Sequence, residues 1–270
     1  MPTKPHNLLS RAAGWVLARP ELMLLLAEDE ALAVEPPQRF QRAWFGLAVS
    51  GVLWGIVLTA VWGAAWKTFG HYLGFLIMPA AITVAFYCLL PFAGAVSALA
   101  RQIGGASADR RSAAASVIVV ALALCFIHLS PDRHRWELFD LPWWIEWLRP
   151  QDKLYRVLLL MPAWGSWAML ISLKICKPGE KTEPQVAALA RGCDAIAVTV
   201  IMAVLLAASI AYFHHLGVGG QIAVPAVAIV AAVASGSWFC RASGGLSRQS
   251  LLAANLATQI AFLAAYLAGR

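Results

Sequence analysis

Charge is scarce in this chain, and acids are scarcest: 13% of its 270 residues are charged, with 14 Asp and Glu against 21 Lys and Arg. Sixty per cent are hydrophobic, well above the roughly 45–50% of soluble domains, which excludes an ordinary water-soluble fold. No carboxylate falls in the middle of an apolar run, and this excludes the buried acid relay of a proton-coupled pump. The five cysteines, Cys88, Cys125, Cys176, Cys193 and Cys240, contain no Cys-x-x-Cys pair. A disulfide framework and a zinc ribbon are therefore not expected, and the thiols are expected to be reduced and structural. Basic residues are scattered over loops and form no stripe, so nucleic acid is not an expected partner. The first forty residues show no short apolar core followed by a small-residue cleavage site, so the first span is expected to direct insertion.

What is present is a series of apolar runs long enough to cross a bilayer as helices, about 20 residues each. The expected spans are Ala43 to Trp66, Leu73 to Ala100, Ser112 to Leu129, Leu154 to Leu173, Ala195 to Leu216, Ile222 to Cys240 and Leu251 to Ala268. The fold class is all-α, a polytopic membrane protein of about seven helices. Residues 1–42 form an amphipathic and linker segment, with an interfacial helix expected around Leu8 to Arg19, a second short helix after Pro20, and a stiff Glu35-Pro36-Pro37 link. Residues 43–270 form the membrane domain. Fourteen of the 21 Lys and Arg residues fall in the loops on the amino-terminal side, which assigns that side to the cytoplasm. Pro79, Pro91, Pro162 and Pro225 lie inside spans, where each removes a helical hydrogen bond and invites a kink. The loop at 130–153 interleaves Trp136, Trp143, Trp144 and Trp147 with aliphatic residues. It is expected to lie along the membrane surface, as an aromatic anchor or as a groove for lipid or a partner subunit.

Three constellations could carry chemistry. Arg241 to Gln259 joins a Gly-Gly turn bearing two arginines to a span with an amide face: Asn255 and Gln259 are four apart and share one side of a helix. Such amides act either as helix–helix glue or as ligand groups in a cavity. The loop from Lys174 to Asp194 mixes Lys174, Lys177, Lys181 and Arg191 with Glu180, Glu183 and Asp194, and reads as a solvated loop or a seat for a phosphorylated ligand. His71, His128, His134, His214 and His215 fall on the outer side. His128, His214 and His215 stand near span ends, where two facing imidazoles would bind haem or copper, although histidine is also at home at interfaces.

The run Met161 to Leu170, MPAWGSWAML, the polar loop ending in Ala190-Arg191-Gly192, and the later SGGLSRQSLLAAN resemble in order and spacing the adenosylcobinamide-GDP ribazoletransferase (cobalamin synthase) family. That family reads LGRWAMV, YARxxGLG and GGxTGDxLGAxxE in the same order. Ala43 to Gly94 is also similar in hydropathy, so the likeness covers most of the membrane domain. It implies transfer of a phosphorylated corrinoid to a ribazole hydroxyl in cobamide assembly, a corrinoid or nucleotide-linked ligand, and Mg2+ if the family chemistry is retained.

The departures concern the metal. The family's acidic tract GALHLDGLADTADG aligns with Gly94 to Gly105, GAVSALARQIGG, which holds no carboxylate; its Gly-Asp becomes Arg248-Gln249; its later acid positions become Leu256 and Gln259; the Arg of its GRW becomes Ser166. Hard cations need several oxygen ligands, carboxylates among them, and phosphoryl transfer relies on such metals. Two functions follow as expectations. One is a divergent transferase holding phosphate with Arg191, Arg241 and Arg248, close to Gly244 and Gly245, with Asn255 and Gln259 orienting the acceptor. No catalytic residue is assigned, and Glu180, Glu183 and Asp194 are its alternative metal ligands. The other is a non-catalytic scaffold whose partners are the lipid bilayer and a membrane protein or a second copy of the chain.

Overall fold

The computed structural model describes residues 19–26, 34–69, 77–89, 92–129, 153–180 and 182–270. The elements are α1 Pro20–Leu26, a 3-10 turn Pro37–Phe40, α2 Ala43–Phe69, α3 Ile77–Leu89, α4 Ala93–Gly104, α5 Ala108–Leu129 and α6 Lys153–Ile175. They continue with α7 Pro184–Gly192, α8 Ala195–Tyr212, a 3-10 turn His214–Leu216, α9 Gly217–Ala242 and α10 Arg248–Ala268, and no strand occurs among the described residues. Six helices are long and apolar enough to cross a membrane, and α3 with α4 makes up to a seventh. The protein is an all-α multi-pass membrane protein, with lipid as the environment of its outer faces. The expected interfacial helix before Arg19, the Trp-rich loop, His71, His134, Pro91 and Lys181 lie outside the described residues.

The stretch expected as the span Leu73 to Ala100 is broken where a kink was expected: α3 and α4 are bent by 78° across residues 90–91. Proline at position 91 has no N–H to give a helix, and Phe92 N donates to Tyr87 O at 3.1 Å, a residue further back than in an α-helix. α4 is a short helix whose Ala95, Val96, Ala98, Leu99 and Ala100 face inward while Arg101 and Ile103 are exposed.

α2, α7, α8, α9 and α10 all meet α6. A Cβ on Gly51 of α2 would sit 2.7 Å from Pro162 O, and one on Gly55 would sit 2.8 Å from Leu159 Cα. This Gly-x-x-x-Gly pair lets two backbones approach closely where lipid supplies no hydrophobic drive between helices. On another face, Trp164 Nε1 donates to Ser209 Oγ at 3.0 Å and Trp167 Nε1 to Val198 O at 3.0 Å, fastening α8. Ser172 packs on Gly236 of α9, and Gly165 sits under the amides of α10. Arg156, buried at the head of α6, donates from Nη1 to Tyr212 O at 3.1 Å and so covers the carbonyl end of α8.

One end of this bundle is closed by α1, the first 3-10 turn, α4, α7 and the α9–α10 turn. Gln185 Nε2 donates to Glu35 O at 2.8 Å, Lys174 Nζ to Ala190 O at 3.4 Å and Gln102 Nε2 to Ser243 Oγ at 2.9 Å. One expectation is corrected here. Cys176 and Cys240, expected as free thiols, form a disulfide across a sequence separation of 64. The packing of α6 on α9 brings the two together, and no local spacing in the sequence encodes that. Cys88, Cys125 and Cys193 are free.

Candidate functional site

The turn between α9 and α10 is built by its own residues. α9 ends in a Schellman stop: Gly245 N donates to Cys240 O at 2.8 Å and Gly244 N to Arg241 O at 3.2 Å. Gly244 takes φ +75, the left-handed conformation such a stop demands. α10 then starts on a capping box, with Ser250 N donating to Ser247 Oγ at 3.1 Å and Ser247 N to Ser250 Oγ at 3.0 Å.

The loop after α6 lies directly on this turn. Leu246 N donates to Lys177 O at 3.2 Å, Gly179 N to Thr182 Oγ1 at 2.8 Å, and Thr182 Oγ1 to Leu246 O at 2.6 Å. A Cβ on Gly245 would stand 2.9 Å from Gly179 N. The chain's own loop, through Gly179, packs closely on Gly245, and the space over Gly244 is open.

Of the arginines, Arg248 is buried, and its Nε donates to Leu24 O at 2.7 Å. It holds the carbonyl end of α1 on the bundle, while its backbone N donates to Glu183 Oε2 at 3.3 Å. Arg191, in the last turn of α7, and Arg241, in the last turn of α9, are exposed. Asn255 and Gln259 lie fully buried two to three turns along α10 from Arg248. Tyr87 OH donates to Gln259 Oε1 at 2.7 Å, Gln259 Nε2 donates to Asn255 Oδ1, and Asn255 Nδ2 meets Met169 Sδ at 3.1 Å. A Cβ on Gly165 would stand 2.5 Å from Asn255 Oδ1. The amides therefore tie α3, α6 and α10 together. Thr258 Oγ1, also buried, has no hydrogen-bond partner among the described residues.

The carboxylates serve the backbone. Glu183 receives the Arg248 N–H, Asp194 Oδ1 caps α8 by accepting from Ile196 N at 3.2 Å, and Glu180 is exposed. Among the described residues no three of His, Cys, Asp and Glu converge as a metal site, so the donors present do not fit the Mg2+ that the resemblance implies. At the opposite end His128 is exposed, its carbonyl accepting from Arg270 Nη1 at 2.6 Å. His214 and His215 are neighbours in one turn, and His215 Nε2 meets Tyr266 OH at 3.1 Å. Beside Asp194, burial pushes the Cys193 thiol up, opposed by the nearby Lys174 ammonium and reinforced by the Asp194 carboxylate.

A crevice of about 140 Å3, open solvent included, lies between α1, the first 3-10 turn, α2 and α7, lined by Glu21, Leu24, Phe40, Leu47 and Leu189. The chain matches no family model, and neither a characterised protein nor a solved structure is significantly similar to it.

Several residues that organise this region were not picked out from the sequence. Tyr87 and Arg156 are polar groups within or at the edge of apolar runs, and that position is itself a signal. Thr182 and Gln185 act by bonding to distant backbone, for which the sequence holds no sign.

Proposed function

We propose that the protein is a multi-pass protein of the inner, cytoplasmic membrane, with its amino terminus in the cytoplasm, and that it acts as a non-catalytic scaffold binding lipid or a partner subunit. One observation carries this reading: the polar side chains of α10 that a ligand would need are engaged inside the protein. Gln259 bonds to Tyr87 and Asn255, Asn255 to Met169, and Arg248 to Leu24. Removing a group from such a partner costs its buried mate a hydrogen bond, so they are poorly disposed to turn toward a substrate. The likeness to cobalamin synthase is then one of helical frame, without the family's metal chemistry. The orientation is supported by Arg101, Arg110, Arg191 and Arg241, all exposed at the closed end.

The test uses the purified full chain in lipid, titrated with adenosylcobinamide-GDP and followed by corrinoid absorbance, with and without Mg2+. No spectral change is expected under either condition, and a metal-dependent change overturns the reading. In parallel, gentle extraction should yield the chain with a fixed partner, and replacing Trp143 and Trp144 together should release it. A lone, stable protein under the same extraction counts against the scaffold.

A further inference from the structure

The disulfide stands where the compartment argues against a permanent one. Cys176 follows the last residue of α6 and Cys240 lies in the last turn of α9, both at the closed end of the bundle. On the orientation proposed above, on which this inference rests, that end faces the cytoplasm, where low-molecular-weight thiols keep cysteines reduced. Both cysteines are buried, but they sit at helix ends beside a polar loop.

We propose that Cys176–Cys240 is a reversible redox strap that fixes the 177–180 loop to the α9–α10 turn. The bond acts beside a short set of backbone contacts. Lys177, next to Cys176, receives the Leu246 N–H, the Cys240 carbonyl receives the Gly245 N–H, and Gly179 rests on Gly245. Closed, the strap holds the two segments together within a few residues of these contacts, which raises their effective concentration for one another. Open, the loop is held by hydrogen bonds alone at the membrane surface, where water competes for each. Beyond the loop, Glu183 binds the Arg248 N–H and Arg248 holds Leu24, so the state of the strap is passed to the docking of α1.

The chemistry balances by thiol–disulfide exchange with a small disulfide such as oxidised glutathione. One cysteine thiolate attacks a glutathione sulfur, the S–S bond breaks, and one glutathione thiolate leaves and takes up a proton. The second cysteine, as thiolate, attacks the mixed disulfide, closing Cys176–Cys240 and releasing the second glutathione. Two electrons pass from the pair to the oxidant, and reduced glutathione runs the sequence in reverse. Cys193 stands apart from the pair in sequence and is free, and its thiol is held protonated by burial.

The experiment equilibrates the full chain in lipid nanodiscs with glutathione buffers from fully reduced to fully oxidised, then denatures and labels all thiols with a maleimide polymer. Five thiols are expected to label in reduced buffer and three in oxidised, five less the pair, with the change falling inside the glutathione range. Hydrogen exchange over 177–180 and 243–248 should be about tenfold faster in the reduced form, as local opening no longer works against a covalent tie. Cys176→Ser and Cys240→Ser should each exchange like the reduced chain, and Cys193→Ser should keep the switch. Five labelled thiols in every buffer, three in every buffer, or equal exchange in the two states each overturns the strap. Orientation is read separately, with membrane-impermeant maleimide on right-side-out vesicles of the reduced chain. Labelling of Cys176 or Cys240 there overturns the cytoplasmic assignment, while the nanodisc titration still decides whether the strap is reversible.

Discussion

α6 and α10 bury 78% and 61% of their most apolar stretches inside the protein, whereas α5 and α8 bury 22% and 17%. The buried pair is also the more polar: Arg156, Ser166 and Ser172 lie on α6, and Ser250, Asn255, Thr258 and Gln259 on α10. In water-soluble proteins the apolar helix goes inside. Here the surrounding solvent is hydrocarbon, so a hydroxyl or amide finds its partner only against another helix, and polarity marks the interior. α8 shows the complement, with Ile196, Val200 and Val204 more than half exposed along one face. The difference between the two pairs is one of enclosure: α6 and α10 are surrounded by other helices, whereas α8 is held to α6 on one face through Ser209, Val198 and Tyr212 and turns aliphatic groups outward on the other.

Substitutions can break or sharpen that contrast. The largest effect is expected at Gly55→Leu, because the added Cβ meets the backbone of Leu159 and a backbone cannot rotate away. A loss of about 3 kcal/mol or outright failure to assemble is expected, read by SDS-driven unfolding in mixed micelles. Arg156→Met should come next, at about 2 kcal/mol, since it removes a charged donor from Tyr212 O within the protein. If it proves neutral, the end of α8 is satisfied by something else and the inner network is smaller than drawn. Gln259→Leu should cost about 1 kcal/mol and Tyr87→Phe about half of that, in keeping with membrane hydrogen bonds that average roughly 0.6 kcal/mol. A double variant that loses no more than Gln259→Leu alone would establish that Tyr87 acts through its bond to Gln259.

Much of this arrangement was legible in the residues. Ser112 to Leu129, Leu154 to Leu173 and Leu251 to Ala268 each fall within one helix that extends a few residues further, because length and hydropathy carry the span signal by themselves. The four-residue spacing of Asn255 and Gln259 placed both amides on one face, where they bond to each other. What stayed hidden depends on distant partners. The proline at position 91 marked a kink between α3 and α4 but not its 78° angle, since hydropathy rates both halves as equally able to sit in lipid. The burial of Arg248 depends on Leu24, 224 residues away, and an arginine in a loop looks the same whether it will meet phosphate or a carbonyl. The Cys176–Cys240 bond depends on how α6 packs on α9, which no local spacing records.

The smallest effect is expected on the outer face, and it is the most informative about function. Val200 and Val204 of α8 are 55% and 61% exposed, one turn apart, and lipid tails are as apolar as the methyls they touch. Replacing both by alanine removes aliphatic surface that lipid covers equally in the folded and the unfolded helix, so the change should stay within about 0.5 kcal/mol. The double variant is measured by the same SDS titration, and again in native-like nanodiscs by size. If stability falls by more than about 1 kcal/mol, or if a larger assembly seen for the wild type dissociates, the face of α8 is covered by protein and not by lipid. That outcome would move α8 from the outer class to the inner one and locate the surface through which a scaffold of this kind holds its partner.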